Sequence, residues 1–187
     1  MDQLHLFMVL IGAISPGRNT EQHDIFFGIA PSMKALLPQI ISFWPGSLLH
    51  IDGWRQVRWV DEYEIIIVGR KEYQEENQPQ LFFLNLGGYK RGEFEEFHYR
   101  LLVAAVNKSK AIHEARKTAF YKHGGFKGAP SHIDDKYGVD VDDVHRINDI
   151  LPAAIKEQYA IQLLPASVPG IDEIHLGYFK VNHWDDE

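Results

Sequence analysis

Cysteine is absent from this chain. Disulfides, thiolate nucleophiles and cysteine-held zinc are therefore excluded. No apolar run approaches the roughly 20 residues that a membrane-spanning helix needs. Positive charge is in short supply: 19 Lys and Arg stand against 26 Asp and Glu, a formal net charge of −7. A nucleic-acid binder needs a basic face to displace counterions, and an anionic bilayer attracts the same sign of charge. Neither nucleic acid nor membrane is an expected partner, and Lys90-Arg91 is too small a patch to reverse this.

Familiar catalytic signatures are missing as well. No G-x-S-x-G surrounds a serine. Gly87-Gly88 and Gly124-Gly125 are followed by no Lys-Ser/Thr, and no G-x-G-x-x-G occurs, so no phosphate-cradling loop is indicated. The acidic stretch Asp134, Asp135, Asp140, Asp142, Asp143 lacks the alternating oxygen ligands and distal Glu of a calcium loop. Asp140 or Asp142 is expected instead to cap a helix that follows.

What the chain has is apolar mass. With 187 residues, 45% hydrophobic and 12% aromatic, it can bury a sizeable core as one compact domain or two small fused ones. Residues 4–13 have the look of a signal-peptide core, but Met1-Asp2-Gln3 supplies no basic flank. The segment also has a counterpart in the chain interior, so a buried strand and a cytoplasmic protein are expected.

That counterpart belongs to an internal repeat. Leu6-Phe7, Gly12, Gly17, Glu21, His23 and Ala30 return 75 residues later as Leu81-Phe82, Gly87, Gly92, Glu96, His98 and Ala105. Seven of these 25 aligned positions are identical, where ordinary usage gives about one or two. Leu4–Ile11 and Leu81–Leu86 read as strands closed by glycine, and His23–Ala30 and His98–Ala105 as the second arms of hairpins. A helix follows each. Ser32 caps a stripe of Met33, Leu36, Leu37, Ile40, Ile41 and Trp44, which Pro38 is expected to kink or split; Asn107 caps Ala111, Ile112, Ala115 and Ala119. Further on, His50-Ile51-Asp52 matches His132-Ile133-Asp134, with Val57 against Val139 and Asp61 against Asp143, and Tyr63–Val68 matches Tyr159–Leu164.

The expected architecture is α+β: two tandem β-β-α-β-β repeats, a mostly antiparallel sheet with helices on one face, packed about a pseudo-two-fold axis. Copy one spans 1–69, a polar linker 70–80, and copy two 81–181, with insertions near 124–130 and 144–158. The second insertion reads as a helix through Val144, Ile147, Ile150 and Leu151, ended by Pro152. Glu173–Val181 reads as an extra strand and 182–187 as a frayed tail.

The blocks Leu-Phe-Phe-Leu-Asn-Leu-Gly-Gly-Tyr (81–89), Glu-Gln-His-Asp (21–24), Phe-Trp-Pro (43–45) and His-Ile-Asp (50–52, 132–134) resemble a small bacterial family, domain-of-unknown-function family 1543, found as one or two copies per chain. The resemblance covers nearly the whole chain and implies two tandem copies. It implies no activity and no catalytic residues.

Chemistry, if present, lies with the histidines, ten in all. His23 pairs with His98 and His50 with His132 across the repeat, and each has an acid two positions away: Glu21, Glu96, Asp52 and Asp134. Residues i and i+2 of a strand share a face. Imidazole beside carboxylate can hold a divalent metal, form an acid–base pair, or satisfy itself by hydrogen bonding at a buried strand end. Trp54 and Trp59 flank the first His-Ile-Asp, with core packing their default role. The favoured function is non-enzymatic: a pseudo-dimer binding a small ligand or protein partner, compatible with homo-oligomers. The alternative is a metal-assisted hydrolase using Glu21, His23, His50, Asp52, Glu96, His98, His132 and Asp134. No cofactor is specified, although the donor set admits a divalent metal.

Overall fold

The computed structural model describes residues 3–73, 78–89, 93–117, 139–181 and 184. In chain order the elements are β1 (His5–Ile14), β2 (Gln22–Ala30), α1 (Met33–Phe43), β3 (Leu48–Val57), β4 (Trp59–Val60), β5 (Tyr63–Gly69), β6 (Gln80–Tyr89), β7 (Glu96–Ala105), α2 (Lys108–Ala115), β8 (Val139–Arg146), single helical turns at Ile147–Ile150 and Ala153–Lys156, β9 (Tyr159–Pro165) and β10 (His175–Lys180). Every described strand pairing is antiparallel, so the fold is α+β. No described helix is long and apolar enough to cross a membrane.

The chain divides into two compact units, one of residues 1–73 with 150–187, the other of residues 74–149. The first holds a four-stranded sheet of order β10-β3-β1-β2 and a three-stranded sheet of order β4-β5-β9. In β1, alternate residues Phe7, Val9 and Ile11 point to the face that α1 covers, where they meet Phe26, Met33, Leu36, Ile40 and Ile51. Gly12 and its alternates therefore lie on the opposite face, as does His50 beside core-facing Ile51.

Ser32 caps α1, its Oγ accepting the Ala35 N–H at 3.2 Å. Ser32→Ala is expected to cost about 1 kcal/mol in denaturant unfolding, with no change in the sheet. Of the two expected effects of Pro38, kink or split, the split does not occur: Met33–Phe43 is one element. The missing N–H bond is outweighed by the stripe Met33, Leu36 and Ile40, fully buried on the sheet, and Gln39 donates to the Ile29 carbonyl at 2.8 Å to hold the middle of the helix.

The second unit holds a three-stranded sheet of order β7-β6-β8, with Ala111 and Ala115 of α2 buried against Leu84, Leu86 and Val103. Asn107 caps α2 as expected, accepting the Lys110 N–H at 3.0 Å. The two sheets repeat each other in detail. Gly12 stands opposite His23 and His50, and Gly87 opposite His98 and Asp140. In each, the register slips by one residue at the same level, so that Asp52 is the extra residue of β3 and Asp142 that of β8.

This ladder corrects the expected alignment. Val139–Arg146 occupies the place of Leu48–Val57, so Asp140-Val141-Asp142, and not His132-Ile133-Asp134, stands where His50-Ile51-Asp52 stands. His132, Asp134 and Ala119 lie outside the described residues, as does the 124–130 loop. Val144 belongs to a strand, and neither Asp140 nor Asp142 caps a helix; of the expected insertion the single turns Ile147–Ile150 and Ala153–Lys156 are helical, on either side of Pro152. The repeat boundaries also differ from the compact units, because β9 pairs with β5 and β10 with β3. Tyr63–Val68 and Tyr159–Leu164 are joined to each other, Ile66 level with Gln162, the two residues that the sequence correspondence equates. Of the tail, Trp184 alone is described, and it packs on Phe179 and Trp54.

Candidate functional site

Four side chains that the sequence offers as two separate pairs converge on one point of the first unit. Glu21 sits immediately before β2, and His23 is the second residue of that strand. His50 and Asp52 lie on β3, and the central strand β1 runs between. The register brings His23 and His50 to the two sides of Gly12. Glycine is needed there, because a Cβ at position 12 would overlap the His50 imidazole and stand 2.9 Å from Asp52 Oδ2. The strand irregularity at Asp52 turns its carboxylate onto the same face.

The geometry is that of a donor set. Glu21 Oε1 lies 3.0 Å from His23 Nε2 and 3.2 Å from His50 Nε2. Asp52 Oδ1 lies 3.1 Å from His50 Nε2, and its Oδ2 lies 3.2 Å from His23 Nε2. One ligand atom from each of the four falls within 4.8 Å of all the others. Donors placed tetrahedrally at the ~2.0–2.1 Å typical of zinc stand about 3.3 Å apart, close to these separations. Asp52 Oδ2 is buried and makes no hydrogen bond, a cost that a cation would remove.

Burial is graded across the set. His50 is 3% exposed, its ring stacked on Tyr178 with centroids 4.4 Å apart. Glu21 and His23 open to solvent, with side chains 37% and 42% exposed. An ion could therefore enter from their side while His50 and Asp52 form a fixed floor. Two neutral imidazoles and two carboxylates neutralise a divalent ion, and this mixed nitrogen–oxygen set suits zinc, iron, manganese or nickel.

The second unit carries a looser version. His98 Nε2 lies 3.9 Å from Glu96 Oε2 and 3.6 Å from Asp142 Oδ2. A Cβ at Gly87 would overlap Asp142, so the glycine serves the same purpose there. The set has one imidazole, because Asp140 holds the register position of His50. Asp142 was missed as a site residue in the sequence because identity ties His-Ile-Asp to His132. Counting from Gly87 along the ladder would have found it.

Residues 18–67 match the family model Domain of Unknown Function (DUF1543). All four donors of the first unit fall inside that segment. Over the whole chain the fold is similar to the crystal structure of the protein Il1583 from Idiomarina loihiensis, at 25% identity and a TM-score of 0.58, covering 95% of this chain and 97% of that one. No curated protein matches.

Proposed function

We propose that this protein is a non-catalytic binder of a divalent transition metal, zinc foremost, held by Glu21, His23, His50 and Asp52. The observation that carries this reading is the approach of both Nε2 atoms to both carboxylates at 3.0–3.2 Å, beside a glycine whose place no residue with a Cβ could take. Four protein donors fill a tetrahedral shell. Catalytic zinc sites hold the ion with three and keep a position for water, so the arrangement favours binding over hydrolysis. The second unit reads as a diverged copy of the same device. Loss of one imidazole and longer separations make it the weaker site.

Elemental analysis and zinc titration of the purified protein test this. One ion is expected to bind tightly. At a hundredfold excess over its dissociation constant it adds about 2.7 kcal/mol of stability, which chelator removes. For a protein of this size the accompanying change in melting temperature is about 5–10 °C. His98→Ala is expected to leave the tight ion in place. Protein that takes up no zinc, manganese, nickel or iron(II), and melts identically with and without chelator, refutes the proposal.

A further inference from the structure

The four-stranded sheet of the first unit has two edges, and they are built differently. Most of β2 is closed: residues 26–30 are buried, and Gln39 of α1 donates to the Ile29 carbonyl. β10 is open. It lies outside β3, and among the described residues no strand pairs with its outer side. Leu176, Gly177 and Tyr178 are all exposed. We propose that β10 is the pairing edge of a symmetric dimer. A second copy of this chain lays its own β10 antiparallel against it, about a two-fold axis at Gly177.

The edge is apolar as well as open. Of the fourteen large hydrophobic side chains exposed among the described residues, five fall within residues 168–178: Val168, Ile171, Ile174, Leu176 and Tyr178. A single exposed hydrophobic residue is ordinary, but a run of them marks an interface. Looseness does not explain the run. The segment entering β10 is fastened to its unit, since Asp172 Oδ1 accepts the Arg58 and Trp59 N–H groups at 3.2 Å each. Gly170 lies so close to the Trp59 indole that a Cβ would overlap it. Natural proteins blunt such an edge with charge, proline or a covering element. Here Lys180, the last residue, is the one fixed charge of the strand.

What selects a second copy is that the strand matches itself. Antiparallel pairing sets residues of the same face opposite each other. With the axis at Gly177, Leu176 stands opposite the partner's Tyr178, and Tyr178 opposite the partner's Leu176. Both belong to the face where Leu176 overlies Gly53 and Tyr178 stacks on His50. On the other face His175, stacked on Trp54, stands opposite the partner's Phe179. Gly177 meets only the partner's Gly177, so no side chain parts the backbones at the axis. Lys180 comes level with the partner's Ile174 and one residue from the partner's Glu173, so no charge faces its like. An axis at Leu176 would pair only His175, Leu176 and Gly177 within the two strands, and one at Tyr178 would set Leu176 against the partner's Lys180. A two-fold pair also consumes both open edges and stops there.

The inference stands apart from the metal reading, and its test is run in excess EDTA so that either can fail without the other. Sedimentation equilibrium of the full chain from about 1 to 500 μM is expected to show a monomer–dimer equilibrium with a dissociation constant of about 100 μM or below. Leu176→Glu sets a carboxylate against an aromatic ring twice over, and is expected to raise that constant about a hundredfold or more. Leu176 is 76% exposed, so the variant is expected to keep the circular dichroism of the unmodified chain. The register is read by cross-linking, for which a chain without cysteine is a clean background. Opposed Cα atoms of an antiparallel pair lie about 4.5–5.5 Å apart, within reach of a disulfide, and diagonal ones about 7–8 Å apart, beyond it. A mixture of the Leu176→Cys and Tyr178→Cys variants is therefore expected to form the mixed disulfide well in excess of either self-disulfide. A chain that stays monomeric over the whole range, or a dimer that Leu176→Glu leaves intact, overturns the proposal. So does a dimer that forms only when zinc replaces EDTA, or a mixed disulfide no more abundant than random pairing gives.

Discussion

His50→Ala is expected to abolish tight metal binding, lowering affinity by about a hundredfold or more. His50 is the most enclosed of the four donors, and its Nε2 lies 3.1 Å from Asp52 and 3.2 Å from Glu21. Without it, three donors remain, two of them carboxylates, and the loss exceeds the roughly 10–100-fold effect of disturbing a group that merely supports a ligand. The same variant separates metal binding from simple hydrogen bonding. If a metal is the reason for the arrangement, the unmodified chain unfolds at higher denaturant in zinc than in chelator, by about 2.7 kcal/mol at a hundredfold excess, and His50→Ala unfolds alike in both. If the imidazoles only satisfy the carboxylates, zinc makes no difference to either protein, and the variant is less stable by the same amount in each medium.

The second large effect comes from a position with no functional group. Gly12→Ala is expected to remove metal binding and to cost about 1–3 kcal/mol of stability, as overpacking of a tight site does. The added methyl would occupy the space of the His50 ring and crowd Asp52 Oδ2. β1 is hydrogen-bonded on both sides, by β2 and β3, so the backbone cannot withdraw. His50 must therefore swing out. Position 12 has no positive φ, so the damage reports the site and not the backbone. Gly17→Ala is the control: it has φ +74 and nothing within 4 Å of a new Cβ, so it is expected to cost about 1 kcal/mol with zinc affinity retained. Equal zinc affinity in Gly12→Ala and the unmodified chain would falsify the donor set as drawn.

Much of the fold can be read from the sequence because its signals are local. Apolar runs ending at Gly12 and Gly87, the caps Ser32 and Asn107, and the stripe through Leu36 and Ile40 each specify an element without reference to distant residues. The 75-residue correspondence agrees with the equivalent registers that β1 and β6 keep with β2 and β7. The separate match of His50 with His132, at an offset of 82, does not foretell β8, because a strand's place is fixed by its hydrogen-bond ladder and the slip at Asp142 and not by residue identities. The residues of the site were legible as types, but their union was not. Glu21-x-His23 and His50-x-Asp52 are separated by a hairpin arm and a helix, and only the pairing of both strands with Gly12 makes them one set. Gly12 itself gave no chemical signal; its signal was steric.

The first compact unit is interrupted in the chain by the second. During synthesis, all four residues of the proposed metal site leave the ribosome before residue 53, yet the strand that covers the second flank of β5 begins only at Tyr159, and the ring that lies on His50 comes at Tyr178. The intervening segment can complete its own sheet while its host still lacks an edge strand. The growing polypeptide must therefore hold β5 with one flank exposed for about a hundred residues of translation, several seconds or more at cellular rates. A metal captured in that interval would brace a half-built host until its last strands arrive.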